Sequence, residues 1–200
     1  KNGIYYEFED FPKSLGRFYK IKGQYEKDLK IGKWETFYSN GNKKSISYYE
    51  GGNKVKRWKE FYNSNNNFSV KFIGNYLDNK AHGKHEWFHK NGKKRKIEEF
   101  SYGNNIGEYF EYHESGNLKA KGIFQNNDKK ANWPTYCDNG TVNENKSFKN
   151  GKLHGTYNKY YCDGKRWVKG MYKNGDKCGK WKFYDKNGSL DEDKDFESCY

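Results

Sequence analysis

The segment Gly32-Lys-Trp-Glu-Thr-Phe-Tyr returns near the C-terminus as Gly179-Lys-Trp-Lys-Phe-Tyr, and the same phrase recurs between them at steps of 24 residues. Eight repeats are legible, starting at Gly3, Lys56 and Ala131 as well as Gly32, Gly83, Gly107, Gly155 and Gly179. They are numbered 1 to 8 in chain order below. Two longer steps mark insertions, five residues inside 3–31 and three in the Asn-rich segment 63–67. Counted from the leading residue, position 3 is a ring throughout: Tyr5, Trp34, Trp58, His85, Tyr109, Trp133, Tyr157 and Trp181. Position 6 is Phe8, Phe37, Phe61, Phe88, Tyr112, Tyr136, Tyr160 and Tyr184, and position 18 is aromatic from Tyr25 to Phe196. Position 10 is Gly41, Gly92, Gly116, Gly140, Gly164 and Gly188, with Asn65 in repeat 3. Self-similarity at a fixed period signals an architecture built by stacking one supersecondary unit on the next.

The residues between the rings say what one repeat folds into. Asn40-Gly41, Asn91-Gly92, Asn139-Gly140 and Asn187-Gly188 supply residues that tolerate the positive φ of a tight hairpin turn. A second turn follows the position-18 ring, at Gly51-Gly52, Asn150-Gly151 and Asn174-Gly175. Each repeat therefore reads as two short antiparallel strands, over positions 2–8 and 12–19. Pro134 interrupts one of them, because proline brings no N–H to the ladder.

Composition removes the alternatives. Hydrophobic residues make up 32% of the chain, and 20% of the chain is Phe, Tyr and Trp. The aliphatic remainder is too small for a doubly wound sheet, a TIM barrel or a helix bundle. The aromatic content argues equally against disorder. The expected fold is all-β: an elongated, single-layer antiparallel sheet of about eight tandem β-hairpins, one repeat domain over residues 1–200, with about sixteen strands and rings as its apolar material. Strict alternation puts positions 3 and 6 on opposite faces unless a bulge intervenes.

Gly-Lys-Trp-x-x-Phe/Tyr-Tyr, then Asn-Gly-x-Lys, then an aromatic, then Asn-Gly-Lys, resembles the MORN-repeat variant of many bacterial proteins. The resemblance covers essentially the whole chain, most fully at 32–55, 83–106, 155–178 and 179–200 and least at 131–154. It implies an array of hairpins. It implies no catalytic residues and no cofactor. Bacterial members are often labelled antitoxin-like, and eukaryotic ones are linked to membranes, cytoskeleton and scaffolding.

Two surfaces are candidate sites. The first is the position-3 ladder of Trp34, Trp58, His85, Tyr109, Trp133, Tyr157 and Trp181, which is either core or, where uncovered, a set of anchors for a partner protein. The second is basic: Lys54, Lys56, Arg57 and Lys59, then Lys93, Lys94, Arg95 and Lys96. Lys and Arg outnumber Asp and Glu by 39 to 26, a net charge of +13. Such a surface suits an acidic protein or anionic lipid. Alternation spreads consecutive lysines over two faces, which weakens the nucleic-acid reading. His82, His85 and His89 do not read as a metal site, since four residues along a strand span roughly 13 Å.

No nucleophile elbow, phosphate loop or His–Cys pair stands apart from the repeat, so the chain reads as non-catalytic, with no small-molecule substrate. The expected function is a protein-binding scaffold of antitoxin, immunity or adaptor type; binding to an anionic membrane is the alternative, and nucleic-acid binding ranks below it. End-to-end self-association is open to the terminal hairpins. Cys137, Cys162, Cys178 and Cys199 crowd into the C-terminal third without a CxxC pair. They read as free thiols, with Cys178–Cys199 pairing open if the compartment oxidises. No apolar run approaches the ~20 residues of a membrane helix. The chain opens at Lys1, which leaves a removed leader, and hence cytoplasm or cell envelope, open.

Overall fold

A computed structural model describes residues 1–10, 17–64 and 69–199. Asn65 and most of the Asn-rich insertion fall outside these residues. The fold is all-β, and the strand pairings below are antiparallel. The chain divides into two compact units, Lys1–Lys94 with Glu99–Asn104, and Arg95–Glu98 with Asn105–Tyr200. In the first, Gly3–Asp10 pairs with Arg17–Glu26, Leu29–Phe37 with Lys43–Glu50, and Asn53–Phe61 with Val70–Leu77. In the second, residues from Asn104–Tyr112 pair with Leu118–Gln125, Gly155–Tyr160 with Arg166–Lys173, and Asp176–Tyr184 with Leu190–Asp195. Among the described residues there are twenty strands where about sixteen were expected. Interruptions at His82, at Trp133 and Pro134, at Lys146 and at His154 split four of them.

Two turn chemistries alternate. After position 6 the glycine N–H reaches back to the position-7 carbonyl, as from Gly41 to Tyr38 at 2.9 Å. Only that glycine is left-handed (Gly41 φ 82°); the preceding asparagine is not, contrary to the expectation that both residues supply positive φ. The second turn needs two left-handed residues, such as Asp78 (φ 45°) and Asn79 (φ 67°), the geometry of a two-residue type I′ hairpin.

A bulge recurs at the leading residues of repeats 2, 3 and 8. Ile46 faces Lys59 and Tyr48 faces Val55, so Lys56, Arg57 and Trp58 share the space opposite Ser47. The same shift occurs between Lys22 and Gln24 and between Lys169 and Met171. The leading residue is left-handed in every repeat, even where it is Lys56 (φ 60°) or Ala131 (φ 53°). The local coiling turns each strand and lets the position-3 ring fold back over the sheet.

The rings form a zipper in which positions 3 and 18 alternate. In the first unit Tyr5, Tyr25, Trp34, Tyr49, Trp58, Tyr76, His85 and Phe100 follow one another with centroid spacings of 4.6–6.1 Å. The second unit has two runs, Tyr109–Phe124–Trp133–Phe148 and Tyr157–Tyr172–Trp181–Phe196. Lysines two residues before the leading residue cap it: Lys30 lies 4.3 Å from the Trp34 centroid, Lys129 4.5 Å from Trp133 and Lys177 4.6 Å from Trp181. Each such contact contributes about 0.5–1 kcal/mol where solvent reaches it.

Beneath four of the position-3 rings lies position 16 of the preceding repeat, eleven residues earlier in the chain. Under Trp34, His85, Trp133 and Trp181 it is Gly23, Gly74, Gly122 and Gly170. A Cβ on Gly23 would meet the Trp34 ring at 2.1 Å, and one on Gly170 would meet Trp181 at 2.3 Å. Trp58 is among the residues opposite Ser47, and the residues eleven places before Tyr109 and Tyr157 are Glu98 and Lys146.

All four cysteines are paired, Cys137 with Cys162 and Cys178 with Cys199. The free-thiol expectation is corrected. Hairpin stacking brings positions 7 and 8 of successive repeats together, a relation that residue spacing alone does not show.

Candidate functional site

The zipper and the opposite face divide the side chains by alternation. Tyr109 Oη donates to Glu111, placing positions 3 and 5 together, whereas Phe110 stacks on Tyr112, placing positions 4 and 6 together. The bulge between positions 5 and 6 lies on the partner strand, so positions 3 and 6 do take opposite faces.

Four residues of the expected ring ladder are core. Trp34 and Trp181 are 2% exposed, His85 3% and Trp133 4%. These four cannot act as exposed partner anchors: the zipper neighbours cover their edges and the glycine at position 16 seats their faces. Trp58, Tyr109 and Tyr157 are half-buried. His85 is a packing residue, its Nε2 2.8 Å from the Asn75 carbonyl.

The basic residues separate into paired and unpaired groups. Lys54 stands 4.8 Å from the Trp58 centroid, inside the zipper. Lys56 pairs with Glu50 at 3.0 Å, Lys94 with Glu86 at 3.0 Å and Lys96 with Glu98 at 3.0 Å. The Lys93 N–H donates to Asn91 in the turn, and Arg95 is exposed. Lys93, Lys94, Arg95 and Lys96 are thus not one patch. Arg57 and Lys59 have no acidic partner among the described residues.

Their surroundings explain this. On the face away from the zipper, cross-strand pairing aligns Tyr6, Lys22, Glu35, Ile46, Lys59, Ile73 and Glu86 in one row over the first unit. In repeats 2 and 4, position 4 is a glutamate clamped by two lysines: Glu35 by Lys33 at 2.9 Å and Lys43 at 2.7 Å, Glu86 by Lys84 at 3.6 Å and Lys94 at 3.0 Å. Burial alone would raise these carboxyl pKa values, but hydrogen bonds from the lysines more than offset it and hold both below the usual range. In repeat 3, position 4 is Lys59 itself. The bulge opens a depression of about 460 Å³ there, lined by Ile46, Tyr48, Lys56, Arg57 and Lys59. It presents cations around an apolar floor.

Four segments of the chain match the MORN repeat variant: residues 30–53, 81–102, 106–126 and 177–197. No curated protein matches the chain. The matches fall on repeats 2, 4, 5 and 8, each starting one or two residues before the leading glycine and reaching the second turn or, in repeat 8, the end of the last strand. Repeat 7 was expected among the fullest copies of the MORN repeat variant, and repeat 5 takes its place. The same bulge in repeats 7 and 8 makes a second depression, of about 510 Å³, with Lys169, Met171 and Lys180 in its lining. There Asp195 stands opposite Lys180 across the strands, so its charge is partly offset.

Sequence reasoning missed the depression because it depends on a register shift. The legible part of the signal was a lysine at position 4 where neighbouring repeats have glutamate.

Proposed function

We propose that the chain is a non-catalytic β-repeat scaffold that docks an acidic protein at the Arg57–Lys59 depression of its first unit. One observation supports this above the rest. Two repeats satisfy the position-4 charge internally, whereas repeat 3 leaves two cations beside Ile46 and Tyr48 without a carboxylate among the described residues. A partner's Asp or Glu supplies the missing charge, and its apolar neighbours gain contact area on Ile46 and Tyr48. An antitoxin-like or adaptor role, in which the partner's working surface is covered, is the finer form of the same reading.

The test is binding to an immobilised Glu–Tyr copolymer, compared with vesicles containing phosphatidylserine and with an oligonucleotide. Arg57→Glu with Lys59→Glu is expected to weaken copolymer binding at least about tenfold, or 1.4 kcal/mol. Unchanged copolymer binding, or stronger wild-type retention on the vesicles or the oligonucleotide, overturns the acidic-protein reading.

A further inference from the structure

Position 7 latches each hairpin to the next wherever its side-chain bond is seen. Tyr38 Oη donates to the Phe61 carbonyl at 2.8 Å, Tyr62 Oη to Phe88 at 2.8 Å and Tyr161 Oη to Tyr184 at 3.1 Å. His113 Nε2 lies 2.9 Å from the Tyr136 carbonyl. In each case the acceptor is position 6 of the following repeat. Repeat 6 carries Cys137 at this position, too short to reach that carbonyl, and its sulfur is bonded instead to Cys162 at position 8 of repeat 7. The Tyr160 carbonyl that a tyrosine latch would take accepts from Asn143 Nδ2 at 3.2 Å.

The two bridges stand where the second unit is least supported. Repeat 6 has its first strand broken at Trp133 and Pro134 and its second at Lys146, which also takes the position-16 place that glycine holds under three of the four tryptophans in this row. The last strand, Leu190–Asp195, is exposed along its whole length. Cys178–Cys199 ties the tail beyond it to a buried site, Cys178 being 4% exposed. Among the described residues, the first unit contains no cysteine and relies on Tyr38 and Tyr62.

We propose that the second unit is completed by oxidation, so that the chain matures and acts where a thiol–disulfide oxidant is at hand, while the first unit folds without one. In each bridge two thiols lose two protons and two electrons, one S–S bond forms, and the disulfide of the oxidant is reduced to a dithiol. Reducing compartments do not sustain such bonds, whereas secreted and envelope compartments do. The inference does not depend on what the Arg57–Lys59 depression binds.

Hydrogen exchange of the full chain, oxidised and after a phosphine reductant, tests it. Reduction is expected to speed amide exchange at least about tenfold through repeats 6 to 8 and to leave repeats 1 to 3 unchanged. Cys137→Ser with Cys162→Ser reproduces the loss in repeats 6 and 7. Cys137→Tyr with Cys162→Ser, which restores the latch of the other repeats, recovers part of the protection without oxidant. Equal protection in the reduced and oxidised chains, loss in both units alike, or alkylatable thiols in protein taken from its native compartment overturns the proposal.

Discussion

The two units use the same 24-residue plan and stabilise it by different chemistry. In the first, one ring run extends from Tyr5 to Phe100, and Tyr38 and Tyr62 latch the hairpins by hydrogen bonds. In the second, the ring runs are shorter and two disulfides are added, while the hydrogen bond from Tyr5 to Glu7 in the first unit has its counterparts there. Glu144 takes hydrogen bonds from Lys146 and Tyr157, and Glu111 takes them from Lys119 and Tyr109. Even the tryptophans differ. The indole N–H groups of Trp34 and Trp58 donate to Ile31 and Val55, whereas those of Trp133 and Trp181 find no acceptor among the described residues. A repeat fixes where contacts fall and leaves open what makes them. Where a copy loses a ring contact or a glycine seat, a covalent or ionic contact can hold the same place.

The glycine seats give the hardest test of this comparison. Gly23→Ala and Gly170→Ala put a methyl into the rings of Trp34 and Trp181, one in each unit, and each is expected to cost about 1–3 kcal/mol of stability. Lys146→Ala, at the same repeat position eleven residues before the smaller Tyr157, should cost clearly less. Denaturant titration followed by tryptophan fluorescence measures all three. Equal losses at the three sites would show that the ring does not rest on position 16.

The latches come next. Tyr38→Phe removes one hydrogen bond at a half-buried site and is expected to cost about 1 kcal/mol. Tyr62→Phe should match it, and hydrogen exchange should place both losses in the first unit. A loss well above this would mean that the ring's packing, not its hydroxyl, holds the junction.

The smallest effect separates the units by pH. Burial would raise the Glu144 carboxyl, but hydrogen bonds from Lys146 and Tyr157 leave it lowered. Its contribution is therefore present above the ordinary carboxylate value of about 4.3 and is lost as pH falls through the lower folded value. Tyr157 is raised, by burial first and then by its hydrogen bond to Glu144. That contribution is present below about pH 10 and is lost as pH rises through the higher folded value. Glu144→Gln should flatten both limbs of the melting temperature against pH. Glu35→Gln, whose carboxyl is also lowered but bonds no tyrosine, should flatten the acid limb alone, and flattening of the alkaline limb as well would remove the distinction between the units.

Much of the architecture was legible because it is written locally and eight times over. Leading glycines, turn glycines and two aromatic positions fix strands, turns and hairpin order through backbone φ and side-chain alternation. The eleven-residue spacing between Gly23 and Trp34, repeated at Gly74 and His85, Gly122 and Trp133, and Gly170 and Trp181, was also present in the sequence. It becomes meaningful only when two strands are laid side by side. The ring positions were legible, while the choice between core and partner anchor stayed open for each of them, since burial depends on neighbours from other repeats. Of the basic residues, alternation already separated Lys93, Lys94, Arg95 and Lys96 over two faces, and the sheet decided which glutamates Lys94 and Lys96 meet.

What the sequence determined alone is the periodic hairpin plan, because turn geometry and the two-residue strand period are properties of short segments. Only the tertiary structure decided which cations stay unpaired, which cysteines meet and which rings are closed off. Those outcomes depend on distances between residues of successive repeats, and a bulge that displaces the register sets them.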